Sequence, residues 1–213
     1  MSMGYRRVVV GALLSGLLLV SSPGTAPAGE PQEKVRETVN AVLAVLQDKS
    51  LQGPDNAEKR REKMRQAVFR RFSFAEMAQS ALGPYWQKRT PAEKKEFVEL
   101  FGELLERSYI NKIESYTGEQ TVQYTKETID QDGHASVYTA VVNKRDLNAE
   151  VVYRLLQRDG DWQVYDVVIE GLSLVNNYRQ QFHNTISQGS YEALVKKLKL
   201  KLEQERAASP VKG

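Results

Sequence analysis

The hydrophobic period of this chain changes twice, and those two changes restrict the fold more than any composition figure does. From Glu33 to about Tyr116 apolar residues recur at spacings of three and four. From Thr121 to Glu170 they alternate, and after Gly171 the helical spacing returns. Spacings of three and four put side chains on one face of a helix, whereas alternation puts them on one face of a strand. The order is therefore helices, then strands, then helices, which predicts an α+β layer architecture.

The spacing of Val35, Val39, Val42, Leu43 and Leu46 predicts a helix over Glu33–Leu46, broken by Gly53-Pro54. Asn56 to Phe69 reads as a second, charged helix. Ser73 with Glu76 resembles a capping box opening a short helix, Phe74–Leu82, that stops at Gly83-Pro84. Thr90-Pro91-Ala92-Glu93 starts the longest helix, to about Tyr116, with Phe97, Phe101, Leu104, Leu105 and Tyr109 on one face. Thr121–Lys126, Ala135–Asn143, Ala149–Gln157 and Trp162–Glu170 are rich in Val, Tyr and Thr and read as strands. Their connections are short, with turns at Asp132-Gly133, Asn143–Asn148 and Asp159-Gly160, so the four strands form an antiparallel meander. Leu174, Tyr178, Phe182 and Ile186 then mark a helix, and Leu194, Leu198 and Leu202 mark another over Tyr191–Glu205. Arg206–Gly213 reads as a frayed, disordered tail.

Both faces of each strand carry apolar residues, so the core face needs a second argument. Arg154 and Asp166 fall on adjacent strands and are expected to pair across them. The opposite face then takes Val151, Tyr153 and Leu155 with Tyr165, Val167 and Ile169, joined by Val137, Thr139 and Val141 of the outer strand. We expect that face to lie under the helices. A one-residue slip in register would invert the assignment.

Before the first helix stands an export pattern: Arg6 and Arg7, the apolar run Val8–Val20, and Ala26-Pro27-Ala28 before Gly29. That is the order of a cleaved secretory signal peptide. The run has thirteen residues, short of the ~20 a membrane span needs; an uncleaved anchor is the alternative. Cleavage after Ala28 leaves 185 residues, 29–213, enough for one domain. The chain has no cysteine. An exported domain of this kind is held by its core alone, without disulfides, thiolate chemistry or Cys-based metal sites. With the leader removed, 28 basic residues face 27 acidic ones. That balance argues against a nucleic-acid-binding domain.

The chemistry-bearing residues form no catalytic pattern. His134 and His183, the two histidines, have no partner at metal spacing and read as solvated. Nucleophile-elbow, zinc-protease, P-loop and dinucleotide motifs are missing. Asp130 and Asp132 start a calcium-like loop whose other ligand positions fail, and Asp159-Gly160-Asp161 reads as a hairpin turn. Ser173 has no base placed near it. The densest basic run, Lys59-Arg60-Arg61 with Lys63, Arg65, Arg70 and Arg71, reads either as a solvated helix face or as a docking surface for acidic partners or lipid headgroups. No enzyme activity, cofactor or metal is expected. A curved sheet wrapped by helices can instead enclose an apolar pocket.

The stretch Trp162–Phe182, WQVYDVVIEGLSLVNNYRQQF, strongly resembles the MlaC family, the toluene-tolerance, ABC-transporter auxiliary family of Gram-negative bacteria. Phe72-Ser73-Phe74 through Leu82-Gly83 with Trp86, and Glu96–Phe101 with Leu104, Leu105 and Tyr109, are similar to it as well. The resemblance covers nearly the whole mature chain, in order. It implies a soluble periplasmic phospholipid carrier between an outer-membrane lipoprotein complex and an inner-membrane ABC transporter with a substrate-binding ring component. It also implies an α+β fold whose deep hydrophobic pocket takes the acyl chains and leaves the headgroup outside. The expected fold is thus a four-stranded antiparallel sheet wrapped by helices on one side around such a pocket.

The lipid-contacting residues are not read from the family. They come from the two apolar faces above: Phe97, Phe101, Leu104, Leu105 and Tyr109; Val137, Thr139 and Val141; Val151, Tyr153 and Leu155; Tyr165, Val167 and Ile169; Leu174, Tyr178 and Phe182. Two other readings stay open. One is a cone-shaped α+β enzyme for an apolar substrate, with Asp166 or Tyr165 as acid or base. The other is an envelope chaperone or interaction protein with a solid core.

Overall fold

The computed structural model describes residues 29–115, 120–142 and 149–208. The leader 1–28, the turn at 143–148 and the last residues of the tail, 209–213, lie outside the described residues.

The first helix, α1 (Glu30–Gln47), begins with Pro31 near its start but has only Gly29 as N-cap, which offers no side-chain acceptor. The acceptor comes from far away: the Gln32 N–H donates to Glu127 Oε2 at 2.6 Å. A carboxylate there also suits the positive end of the helix. Two single 3₁₀ turns, at Lys49–Leu51 and Pro54–Asn56, lead into α2 (Ala57–Phe69). The helix α3 (Phe74–Leu82) is capped by the Ser73 hydroxyl, which accepts from the Glu76 N–H at 3.5 Å. Glu76 pairs with Arg158. A 3₁₀ stretch, Gly83–Lys88, follows. The longest helix, α4 (Pro91–Glu114), has the full capping box: Thr90 Oγ1 accepts from the Glu93 N–H and Glu93 accepts from the Thr90 N–H.

The sheet has five strands, one more than the alternation predicts. The order is β1 (Thr121–Ile129), β2 (His134–Val142), β3 (Ala149–Arg158), β4 (Asp161–Ile169) and β5 (Leu172–Ser173), all antiparallel. The extra strand is two residues long, folded back on β4 through a tight turn at Glu170-Gly171, both at positive φ. Gly171 suits that conformation; Glu170 adopts it while its own carboxylate accepts from the Glu150 N–H at 2.6 Å. The final helices are α5 (Leu174–Gln188) and α6 (Tyr191–Ala208). The end of α6 corrects the expected fraying from Arg206. The helix runs through Ala208, and Arg206 is held by Glu103 of α4.

Two apolar cores result. One lies among α3, α4, α5 and α6; the other joins α1 to one face of the sheet. Phe72 packs against both. It sits where the chain entering α3 runs beside β4: the Ser73 N–H donates to the Val164 carbonyl and the Val164 N–H to the Arg71 carbonyl, both at 2.8 Å.

Candidate functional site

Register assigns the faces. Tyr153 pairs with Val137 and Val167, Val151 with Thr139 and Ile169, and Leu155 with Ala135 and Val164. These residues share one face, the inner face, which carries the second core with Val35 of α1. On β1, Tyr124 stands opposite Thr139 and joins that face. Across it therefore runs the row Tyr124, Thr139, Val151 and Ile169.

The inner face is covered unevenly. Ala135, Val137, Thr139, Leu155, Trp162, Val164 and Val167 are buried, with Val137 and Leu155 at 0 % exposure. Beside them Val141, Val151, Tyr153 and Ile169 are only half-buried, as is Leu174 where α5 begins. Tyr153 is the informative member. Burial pushes its hydroxyl well above the ordinary phenol range, with Tyr124 adding to the rise, yet the residue keeps accessible surface. Its side chain is thus densely surrounded by protein and still incompletely covered. Leu174 and Tyr178 are four residues apart on α5 and continue the apolar surface toward the helices. The Tyr178 hydroxyl donates to Ser108 Oγ at 3.3 Å, and half-buried Tyr109 lies beside Tyr178.

The helical stripe has a different character. Phe97 and Phe101 are 0 % exposed. They stack at 6.0 Å, and both meet Phe182 edge-on, at 5.6 and 5.5 Å. Tyr178 meets Phe101 edge-on at 5.3 Å. Leu104 and Leu105 are buried in the same cluster. These rings fill one another's space, at the separations aromatic pairs prefer. The expected single lining is thus two groups: a closed aromatic core among helices, and a half-open row on the sheet.

One residue sits on the other side. Tyr165 was expected on the core face, but β4 has a bulge: Arg154 pairs with Asp166, whereas Leu155 pairs with Val164. Tyr165 is the inserted residue, and Val164 takes the inner position. The Tyr165 ring meets His134 edge-on at 5.8 Å. It lines an outer groove of about 300 Å³ with His134, Ser136 and Arg154. A second groove, about 490 Å³, lies between α4 and α6 and carries Glu93, Glu96, Glu192, Lys196, Lys199 and Glu203. The linings of both lack Val151, Tyr153 and Ile169, and the second sets Tyr191, Val195 and Leu200 among its charges.

Asp166 is 3 % exposed and fully engaged. Its carboxylate accepts from Arg154 at 3.1 Å, from Ser173 Oγ at 2.7 Å and from the Val175 N–H at 3.1 Å. Ser173 in turn caps α5 through the Asn176 N–H. Asp166 therefore ties β4 and β3 to the start of α5, where Leu174 meets the sheet. The histidines are both exposed; His183 Nδ1 lies 3.0 Å from the Tyr85 hydroxyl. Asp130 accepts from the Asp132 and His134 N–H groups and so shapes a turn.

Much of the basic run is internal. Arg60 and Arg61 share Glu114, at 2.9 and 3.1 Å, and Arg65 reaches Glu106 at 3.1 Å, clamping α2 to α4. Arg71 is buried on Asp161 and the Trp162 carbonyl. Lys59, Lys63 and Arg70 are left on the exposed face. Among the described residues, no helix is long and apolar enough to cross a membrane.

Sequence reasoning missed Tyr124. Its ring lies under the Arg36 guanidinium, 4.1 Å from the ring centre, and burial raises its hydroxyl above the ordinary phenol range. Alternation over Thr121–Lys126 could have found it, had the strand been given a face.

This architecture has known relatives. A solved structure, a phospholipid-binding protein from Ralstonia solanacearum in complex with a phospholipid, superposes with a TM-score of 0.75 at 29 % identity, covering 83 % of this chain and 99 % of that one. The intermembrane phospholipid transport system binding protein MlaC of Haemophilus influenzae is 20 % identical over 133 residues, 61 % of this chain. That match spans 60 % of the relative's length. The family model described as MlaC protein matches residues 36–200. The chain belongs to the MlaC family.

Proposed function

We propose that the protein binds phospholipid at the half-open part of the inner face and carries it through the periplasm, between an outer-membrane lipoprotein complex and an inner-membrane ABC transporter. The observation that carries this reading is the group Val151, Tyr153, Ile169 and Leu174: largely apolar, incompletely covered, and set in a fold shared with a solved phospholipid-binding relative. Of the expected lining, Val141, Val151, Tyr153, Ile169, Leu174 and Tyr109 are the residues whose partial exposure suits lipid contact. The fully covered Phe97, Phe101 and Phe182 act as scaffold behind them.

Burial of a methylene is worth about 0.8 kcal/mol, so two chains of about fifteen carbons resist exposure to water by roughly 20–25 kcal/mol. A carrier need only match the bilayer it draws from, so transfer is close to reversible and direction comes from the partners. The leader supports export, with cleavage after Ala28. The acid–base alternative loses support because Asp166 is spent on Arg154, Ser173 and Val175. The direct test is mass spectrometry of an organic extract of protein purified from the native envelope. Stoichiometric phospholipid is expected, and a lipid-free extract from a folded protein refutes the reading. N-terminal sequencing of the same sample should read Gly29 first.

A further inference from the structure

The inner-face row holds two hydroxyls with unequal fates. Thr139 Oγ1 donates to the Val151 carbonyl at 2.8 Å and is satisfied within the sheet. The Tyr124 hydroxyl is buried and has no hydrogen-bond partner among the described residues. Phenols of buried tyrosines ordinarily find a partner, because an unmatched buried polar group is costly. The nearby groups do not supply one. Arg36 lies over the ring face, the Glu33 carboxylate nearby is paired with Arg36 and makes no hydrogen bond to the hydroxyl, Tyr153 beside it is the other phenol, and the remaining members of the row, Val151 and Ile169, are apolar. A polar atom held unpaired against an apolar binding surface is available to a group the ligand brings.

Acyl chains carry no acceptor along their length. Their one polar feature is the ester carbonyl where they join glycerol. We infer that Tyr124 donates a hydrogen bond to an ester carbonyl of the bound lipid, so that the site selects ester-linked over ether-linked chains. This inference rests on the phospholipid-binding reading above and adds the linkage chemistry to it.

The test uses two phosphatidylethanolamines that differ only in linkage, dipalmitoyl and di-O-hexadecyl. Both are offered together in equimolar vesicles to the delipidated mature protein, and the captured ratio is read by mass spectrometry. The wild type should favour the diester by about fivefold, the scale of one net hydrogen bond, and Tyr124→Phe should bring the ratio to one. Stability supplies an independent readout: Tyr124→Phe should leave the urea midpoint of the lipid-free protein unchanged or raised, because no internal bond is lost. A midpoint that falls shows an internal partner and overturns the inference. Equal capture of both lipids by the wild type overturns it too, as does a diester preference that survives Tyr124→Phe. A variant weakened equally toward both lipids places the contact on the headgroup, which likewise overturns it. Capture of neither lipid refutes the carrier reading and this inference together.

Discussion

Two valines on the same sheet face should respond oppositely to the same substitution. Val137 is 0 % exposed, packed with Val35 of α1 and Leu155. A carboxylate introduced there has no cationic partner and no route to water. Even after relaxation, burying an unpaired ion costs several kcal/mol, against a total stability of roughly 5–15 kcal/mol. Val137→Glu should therefore unfold the domain or leave it barely folded. Val151 is one strand over and half-buried. A glutamate there reaches water through the uncovered half of the face, and we expect a cost to the lipid-free fold of about 1 kcal/mol. Once a chain lies over that surface, however, the carboxylate is trapped beneath it. A penalty of about 1.4 kcal/mol already lowers occupancy tenfold, and burying a charge exceeds that. The assays are urea unfolding of lipid-free protein and phospholipid per mole of protein in a mass-spectrometric extract. Val151→Glu should keep its fold and lose its lipid. If it keeps full occupancy at native stability, the half-open row is not where the lipid lies. If both variants lose the same stability, the division of the face into a closed and an open half is wrong.

Other outcomes follow from single anchors. Asp166→Ala orphans the buried Val175 N–H and releases Ser173, so stability should fall by about 2–4 kcal/mol; Asp166→Asn, which keeps an acceptor, should lose less in the same urea series, and equal losses would refute the assignment. Burial alone would raise the Asp161 carboxyl, but the Arg71 guanidinium, the Trp162 N–H and Lys34 together hold it below the ordinary range. Its contribution is then present above the unfolded value of about 3.9 and is lost as pH falls through the lower folded value. Asp161→Asn should be less stable at neutral pH and converge on the wild type in acid, so parallel stability–pH curves would count against the pairing. At the start of α1, a Cβ on residue 29 would sit 1.9 Å from Glu127 Oε1, so Gly29→Ala should displace the carboxylate and free the first-turn N–H groups. Gly29→Ala and Glu127→Ala should each cost about 1 kcal/mol and together cost little more, with faster hydrogen exchange confined to the start of α1; additive losses would separate the two residues.

The parts of this fold that local chemistry specifies were legible in the sequence. Thr90, Pro91 and Glu93 announce the start of α4 because a capping box is complete within four residues. The Arg154–Asp166 pair was legible because short turns fix the neighbours of a meander, and the two groups do meet at 3.1 Å. The same alternation then failed one step later. It put Tyr165 inside because it assumed an unbroken pleat, whereas β4 inserts that residue between Asp166 and Val164. The bulge lies next to Val164, whose backbone bonds on its other side to Arg71 and Ser73, more than ninety positions earlier. No local pattern encodes that strand-like neighbour. The basic run is only partly free for a similar reason: Glu106 and Glu114, which take up Arg60, Arg61 and Arg65, lie on another helix, while Lys59, Lys63 and Arg70 stay exposed. The aromatic stripe shows the third kind of limit. Spacing correctly put Phe97, Phe101 and Phe182 on apolar faces, but a face that packs against its own kind and a face that awaits a ligand have the same period. Only coverage distinguishes them, and coverage depends on which helices pack over each part of the sheet. That is why the lipid contacts proposed above are the half-buried Val151, Tyr153 and Ile169 rather than the more hydrophobic rings behind them.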